Sequence, residues 1–352
     1  MTARAHRLML AGDVMLGRGV DQILAHPGDP RLFEGYMTSA TGYVTLAERR
    51  SGDLPRGVAP PYVWGDLLAD LDARDIDLRI VNLETAITAQ GTPEPKGINY
   101  RMHPANIDVL TAARIDACIL ANNHVLDWGT AGLTDTLDTL AGAGIATVGA
   151  GRDAHAAALP AILPLPGGGR LLILAFGAGT SGVPRHWAAT ETWPGVNRLA
   201  DAPEDTLAQV RAQIGPIRQP GDLLLISLHW GGNWGFDIPA GQRALAHALI
   251  DEVGADIVFG HSSHHPKAIE TYRDRIIFYG AGDLINDYEG IGGHADYHPD
   301  LGLAYILDIA PGRGRLIRLE KLAYRRRRFR LERADAQEIQ VLTEMTSAPA
   351  SS

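Results

Sequence analysis

The chain has 352 residues, 45% hydrophobic and 21% charged, a balance that suits a globular protein with a sizeable core. Its net charge of −9 excludes a general nucleic-acid binder, which needs a basic face; the basic run at 325–328 reads as a solvated strand end. One cysteine, Cys118, excludes an internal disulfide, and its apolar surroundings make it a packing residue.

The basic residues within 1–7 lead into too few apolar residues for a secretory signal, and no run is long enough to span a bilayer. A cytoplasmic protein without membrane insertion is expected. Residues 7–11 read as a first strand ending at Gly12 and Asp13, and 14–24 as a loop entering a short helix. Residues 26–62, scattered with Gly, Pro, Ser and Thr, read as a long loop or lid. Val63, Leu67, Leu68 and Leu71 give 62–74 a helical spacing, and 78–83 is the next strand. A helix at 104–114, opened by proline, leads into an apolar strand ending abruptly in Asn122, Asn123 and His124, with Asp127 three residues on. A helix at 130–143 and a strand at 145–148 complete a strand–helix alternation of the doubly wound kind.

The second half starts with a hairpin turned by the glycines at 167–169, which lack the Lys-Ser/Thr of a phosphate-binding loop. Strands are expected at 171–176, 223–228, 256–259 and 276–279, and helices at 203–217 and 239–253. A strand pair at 303–309 and 316–324 and a helix at 334–345 follow, then a polar tail at 346–352. One domain over 1–345, with two packed sheets flanked by helices, is the expected architecture.

Apolar strands in both halves end in the same kinds of polar residue: Asp13; Asn82 with Glu84; Asn122, Asn123 and His124; His229; His261 with His264 and His265; and Asp283. In open α/β sheets the point where strands leave the sheet is where ligands bind. Carboxylate, amide and imidazole are also the donors that hold zinc or another divalent transition metal.

Gly12-Asp13-Val14-Met15-Leu16-Gly17-Arg18, Asn82-Leu83-Glu84-Thr85, Ala121-Asn122-Asn123-His124, His229-Trp230-Gly231 and Gly260-His261-Ser262-Ser263-His264 occur in that order. This block pattern resembles the CapA-like proteins of capsule and poly-γ-glutamate synthesis, over roughly residues 8–324. The resemblance implies the calcineurin-like metallophosphoesterase fold, a four-layer α/β/β/α sandwich with two central mixed sheets.

The chain departs from the metallophosphoesterase pattern at its ligands. The usual Asp-x-His is Asp13-Val14-Met15, the bridging Asp falls where Glu84 stands, and the final His-x-His is stretched to His261-Ser262-Ser263-His264-His265. The expected cofactor is therefore either none or one divalent ion of the Zn, Mn or Fe type, held by some of Asp13, Glu84, His229, His261 and His264.

Losing a ligand opens a second chemistry, because a carboxylate and an imidazole on opposite faces of a carbon can invert it by proton transfer. A CapA-like enzyme of lasso-peptide biosynthesis is an epimerase of this kind, and the resemblance extends that activity here as the favoured expectation. Asp13 would be one acid/base group and His294, then His298, its partner, with Asn123 and His124 also in the catalytic set. Trp230, Trp234 and Tyr297 would line a cleft beside Glu84, and Arg18, Arg101 and Lys267 would hold a substrate carboxylate. The expected partner is a peptide or peptide-like substrate. Metal-dependent hydrolysis of an amide or phosphoester, and a non-catalytic role in capsule or poly-γ-glutamate synthesis, stay open beside epimerisation.

Overall fold

The computed structural model describes residues 4–312 and 314–347; the first three residues of the supposed signal-free start, Arg313 of the turn before 316, and 348–352 of the expected tail lie outside the described residues. The strand His6–Val14 is buried almost throughout, as its near-continuous apolar run requires of a strand covered on both faces. It lies inside an eight-stranded sheet. On one side it pairs in parallel with Leu78–Leu83, followed by Ala117–Ile119 and Ala146–Val148. On the other it pairs antiparallel with Leu301–Ile309, followed by Leu316–Arg327 and Arg330–Arg333. The short strand Asp283–Ile285 joins the C-terminal end of His6–Val14 in parallel.

The second sheet has six strands: Ile269–Tyr272, Arg275–Phe278, Ile257–His261, Leu223–His229, Arg170–Gly177 and Ala161–Pro164. Its centre is parallel and its two outer pairings are antiparallel, so both sheets are mixed. Strand alternation then makes the layers. Leu171, Ile173 and Ala175 face a core shared with Leu8, Leu10 and Ile80 of the first sheet. Leu172, Leu174 and Phe176 face the opposite way, against Val210, Ile214, Leu245 and Leu249 of the helical segments that cover the second sheet. This is the expected sandwich of two mixed sheets with helices outside.

Several sequence expectations change. Residues 26–62 are not a patternless loop: they contain the helix Thr41–Ser51, which buries Tyr43, Val44 and Ala47, and a bridge joins Leu24 to Val58. Three buried residues in an eleven-residue helix leave too faint a stripe to read. The helix expected at 62–74 shrinks to Leu67–Asp72 because Gly65, at φ +49°, sits against the Leu331 carbonyl in a left-handed conformation that a helix cannot continue through. The stretch 104–114 divides into a 3-10 turn, Pro104–Asn106, and a short helix, Asp108–Ala112. Thr346, placed in the polar tail, is buried, and its carbonyl accepts from Ile269 N–H at 3.0 Å. Arg326 is not a solvated charge either. It is buried and donates to the carbonyls of Pro299 at 2.8 Å and Leu301 at 2.6 Å. Among the described residues no helix is long and apolar enough to cross a membrane.

Candidate functional site

Gly12 is where the first strand slips register: Ala11 pairs with Val81, but Asp13 pairs with Asn82. The extra residue is a bulge, which re-aims the next side chain. A methyl group at Gly12 would collide with the Gly282 carbonyl, so only glycine lets the two segments meet there. Asp13 is thereby fully buried, with Oδ1 accepting from Asn82 Nδ2 at 2.6 Å and Oδ2 from Ser262 N–H at 3.2 Å. Ser262 makes that bond with φ at +97°, a strained conformation for a residue with a side chain.

His229 and His261 end adjacent parallel strands in register, which brings their Nδ1 atoms to 2.7 Å. Burial lowers the pKa of His229 well below its usual value, with the neighbouring His261 adding to the effect, and burial pushes His261 down to about 3. Both rings are thus neutral, and the partners assign their tautomers. Asn123 Oδ1 accepts from His229 Nε2 at 3.0 Å, and Ser227 Oγ meets His261 Nε2 at 2.7 Å. With Ser227 Oγ accepting from His261 Nε2–H, the Nδ1 lone pairs of both rings face each other beside Asp13, where a cation would take both.

On the other side of Asp13, His264 Nδ1 lies 3.1 Å from Asp283 Oδ1, and Asp283 Oδ2 accepts from Asn286 Nδ2 at 2.8 Å. Burial opposes a charge on His264, but the Asp283 carboxylate outweighs it and the pKa rises. Donor atoms of Asp13, His229 and His261 lie within 4.8 Å of one another, and so do those of Asp13, His264 and Asp283. Asp13 is common to both triads. Glu84 completes the cluster: its Oε1 is 3.8 Å from both His124 Nε2 and His229 Nε2, and its Oε2 is buried with no hydrogen-bond partner.

Burial and neighbouring carboxyl charges oppose the ionisation of Asp13 and Glu84. Burial first and the Asp283 charge second push Asp13 up to about 7, and burial with the Asp13 charge raises Glu84 well above the carboxylate range. A divalent cation is what such a donor set lacks: it would take the orphaned Glu84 oxygen and neutralise the repulsion. The residues present therefore fit a metal ion. The imidazole missing at Met15 has a carboxylate counterpart from a distant strand, Asp283; Met15 itself is buried, with Sδ 3.9 Å from the Tyr288 hydroxyl.

The remaining expected residues divide. Asn122 turns the chain, its Oδ1 accepting from the N–H groups of His124 at 3.1 Å and Val125 at 3.0 Å. His124 Nδ1 meets Asp127 Oδ2 at 2.6 Å, so its Nε2 faces the Glu84 side, and burial pushes its pKa down to about 4. Lys96 Nζ holds the other oxygen of Asp127 at 2.6 Å. Sequence reasoning missed Lys96, and used Asp127 and Asp283 only as strand-end markers.

His294 does not join the cluster; its ring stacks on Trp234 at 3.9 Å and 7°, with Tyr297 on the same indole at 5.2 Å. Trp234 in turn lies 5.3 Å from His264, so this aromatic group borders the site. His298 lines a separate cleft with Arg325 and Arg326. Trp230 is buried and donates to the Tyr279 carbonyl at 3.1 Å, which makes it part of the sheet's cover. Arg18 is committed inside the protein, with Asp287 at 3.0 Å from Nε and Glu34 at 3.0 Å from Nη1. Arg101 stacks on Trp128 at 3.7 Å and bonds the Asp29 carbonyl at 3.1 Å. Lys267 is buried, with Nζ 3.4 Å from the Asp237 carbonyl and a pKa lowered by burial. None of these three cations opens onto the cluster as a carboxylate clamp.

Comparison with known proteins places this geometry in a family. The family described as bacterial capsule synthesis protein PGA_cap matches residues 7–288. The chain is 50% identical over 329 residues to the probable polyglutamine synthesis accessory protein Rv0574c of Mycobacterium tuberculosis (strain ATCC 25618 / H37Rv), covering 93% of this chain and 86% of that one. It is 28% identical over 278 residues to the PGA biosynthesis protein CapA of Bacillus subtilis (strain 168), covering 78% and 62%. Among solved structures it is similar to a novel phosphatase from Mycoplasma pneumoniae, at 12% identity and a TM-score of 0.48 over 97% and 98% of the two chains. The chain belongs to the bacterial capsule synthesis protein PGA_cap family.

Proposed function

We propose that the chain is a divalent-metal-dependent hydrolase that cleaves an amide linkage in a peptide-like polymer. One observation carries the reading: two buried donor triads share Asp13, beside a Glu84 oxygen that has no partner. The peptide-like substrate is taken from relatives named for polyglutamine synthesis and PGA biosynthesis.

A divalent ion held by Asp13 with His229 and His261, or by Asp13 with His264 and Asp283, with Glu84 alongside, would polarise the scissile carbonyl and make an attacking water more acidic. The protein's own groups prepare that site. Asn123 and Ser227 fix the tautomers of His229 and His261, as partners of ligating imidazoles do. Asp127 orients His124 with its Nε2 toward the cluster, where the neutral imidazole can take a proton from the attacking water and return it to the leaving amine. Lys96 holds Asp127 in place.

The test is elemental analysis of protein purified without chelator, followed by incubation with oligo-γ-glutamate and mass spectrometry of the products. Bound metal, cleavage, loss of cleavage in EDTA and its return with zinc or manganese are expected. Intact oligomer after incubation with metal-loaded protein overturns the hydrolase reading. It would favour a non-catalytic role in polymer assembly, which the word "accessory" in the mycobacterial relative's name supports.

Epimerisation at a peptide α-carbon is the second reading. It is favoured by the Asp13 carboxyl, whose pKa of about 7 suits acid/base work at neutral pH. It ranks second because His294, its expected partner, is stacked on Trp234. Deuterium uptake by a peptide in heavy water, without cleavage, would reverse the ranking.

A further inference from the structure

A cleft of about 650 Å3 lies beside the cluster, between the end of the helix Thr41–Ser51, the glycine-rich stretch 289–300 and the strand Leu316–Arg327. Its inner wall is made by residues that touch the donor set. Asn286 holds Asp283 Oδ2 at 2.8 Å, and the Tyr288 hydroxyl is 3.3 Å from His264 Nε2. Its rim is basic. Arg50 and Arg327 are exposed, and neither makes an ion pair among the described residues; Arg325 shares Glu338. Of the acidic lining, Glu289 is engaged by the Ser51 hydroxyl and by Phe329 N–H at 3.3 Å, which leaves Asp300 against the arginines.

We propose that this cleft binds a polycarboxylate segment of the substrate chain, with Arg50 and Arg327 holding side-chain carboxylates while the next linkage reaches the cluster past Tyr288. The inference rests on the peptide-like substrate of the preceding reading. Two arguments support it. Exposed guanidinium groups gain charge-assisted, bidentate bonds from carboxylates that a neutral peptide cannot supply. The chain as a whole carries −9, so an acidic polymer is drawn to it only through local concentrations of positive charge. The cleft also falls within the usual size of ligand sites and has room for several residues of an extended chain.

The test measures fluorescence anisotropy of labelled oligo-γ-glutamate in EDTA, so that binding is read without turnover, against oligoglutamine of equal length. Oligo-γ-glutamate should bind, more weakly as salt rises, and oligoglutamine should not. The Arg50→Ala/Arg327→Ala variant should bind about tenfold more weakly. Arg152→Ala, an exposed arginine outside the cleft, should bind as the unmodified protein does. Circular dichroism confirms that the variants are folded. Equal affinity in the double variant, or no binding at low salt, overturns the proposal. Metal content, measured on the same preparations, reports separately on the hydrolase reading.

Discussion

Asp283 sits directly opposite Asp13 on a neighbouring parallel strand, so two carboxyl groups more than 260 positions apart in the chain meet in a fully buried site. The Asp283 charge raises the cost of ionising Asp13, and a divalent cation removes that cost. Asp283→Asn should therefore act differently in two states. With metal available, bound metal per chain falls and amide cleavage is lost. In EDTA the variant loses a buried repulsion with Asp13 and also the Asp283–His264 pair, so its urea stability should fall by less than the roughly 3–5 kcal/mol that breaking a buried pair alone costs. Undiminished metal content in Asp283→Asn would remove Asp283 from the donor set.

The shifted Asp13 carboxyl sets a pH dependence for the metal-free protein. Its folded pKa, about 7, stands above the ordinary value of 3.8, so between these the folded chain holds a proton that the unfolded chain has lost. That contribution is complete below the unfolded pKa and disappears as pH rises through the folded one. His124, His229 and His261, lowered by burial, titrate in the opposite sense and His264, raised, in the same sense, so the difference between variants is read to remove what the two proteins share. Relative to the unmodified protein in EDTA, Asp13→Asn should gain urea stability steadily as pH rises from about 4 to about 7. A difference independent of pH would show that Asp13 is not shifted.

Lys96 helps hold His124 neutral. Its ammonium is 3.3 Å from His124 Nδ1 and paired with Asp127, and its charge lowers the imidazole pKa beyond what burial does. Lys96→Met leaves the Asp127 carboxylate facing His124 alone. The His124 pKa should move up from about 4, read by NMR titration of the ring nitrogens, and any acidic limb in the pH profile of cleavage should move with it. An unchanged titration would make Lys96 a surface tether only.

Arg18 carries two buried carboxylates, Asp287 and Glu34, and stacks on Tyr43 at 3.8 Å and Tyr100 at 4.5 Å. Removing the cation leaves both acids buried without a counter-charge, a change that typically costs about 3–5 kcal/mol. Arg18→Met should lower urea stability by that order. Metal binding should survive in whatever fraction remains folded, because none of the donor residues touches the guanidinium. Loss of metal at unchanged stability would assign Arg18 to the site.

The strand ends were legible because apolar runs stop at polar residues: Asp13, Asn123, His124, His229 and His261 each follow a hydrophobic strand. The hairpin at 167–169 and the final strand pair could be read for the same local reason, apolar runs separated by turn residues. The helix Thr41–Ser51 could not, since only Tyr43, Val44 and Ala47 are buried and no side chain caps it. His294 and His298 drew attention as histidines in a glycine-rich loop, but a side chain on a loop says nothing about which neighbour it faces. Trp234 supplies that neighbour for His294, from sixty positions away.

The sequence alone determined the class of the molecule and the chemistry available to it. Hydrophobic periodicity sets strands and helices locally, and the polar residues at strand ends restrict the site to carboxylate, amide and imidazole. The grouping of those residues was decided by the tertiary structure. A one-residue bulge at Gly12 aims Asp13, parallel pairing sets Asp283 beside it, and strand register brings His229 onto His261. Such contacts join segments whose separation carries no periodic signal, because strand register and sheet-to-sheet packing are fixed by the whole core rather than by any one stretch of chain.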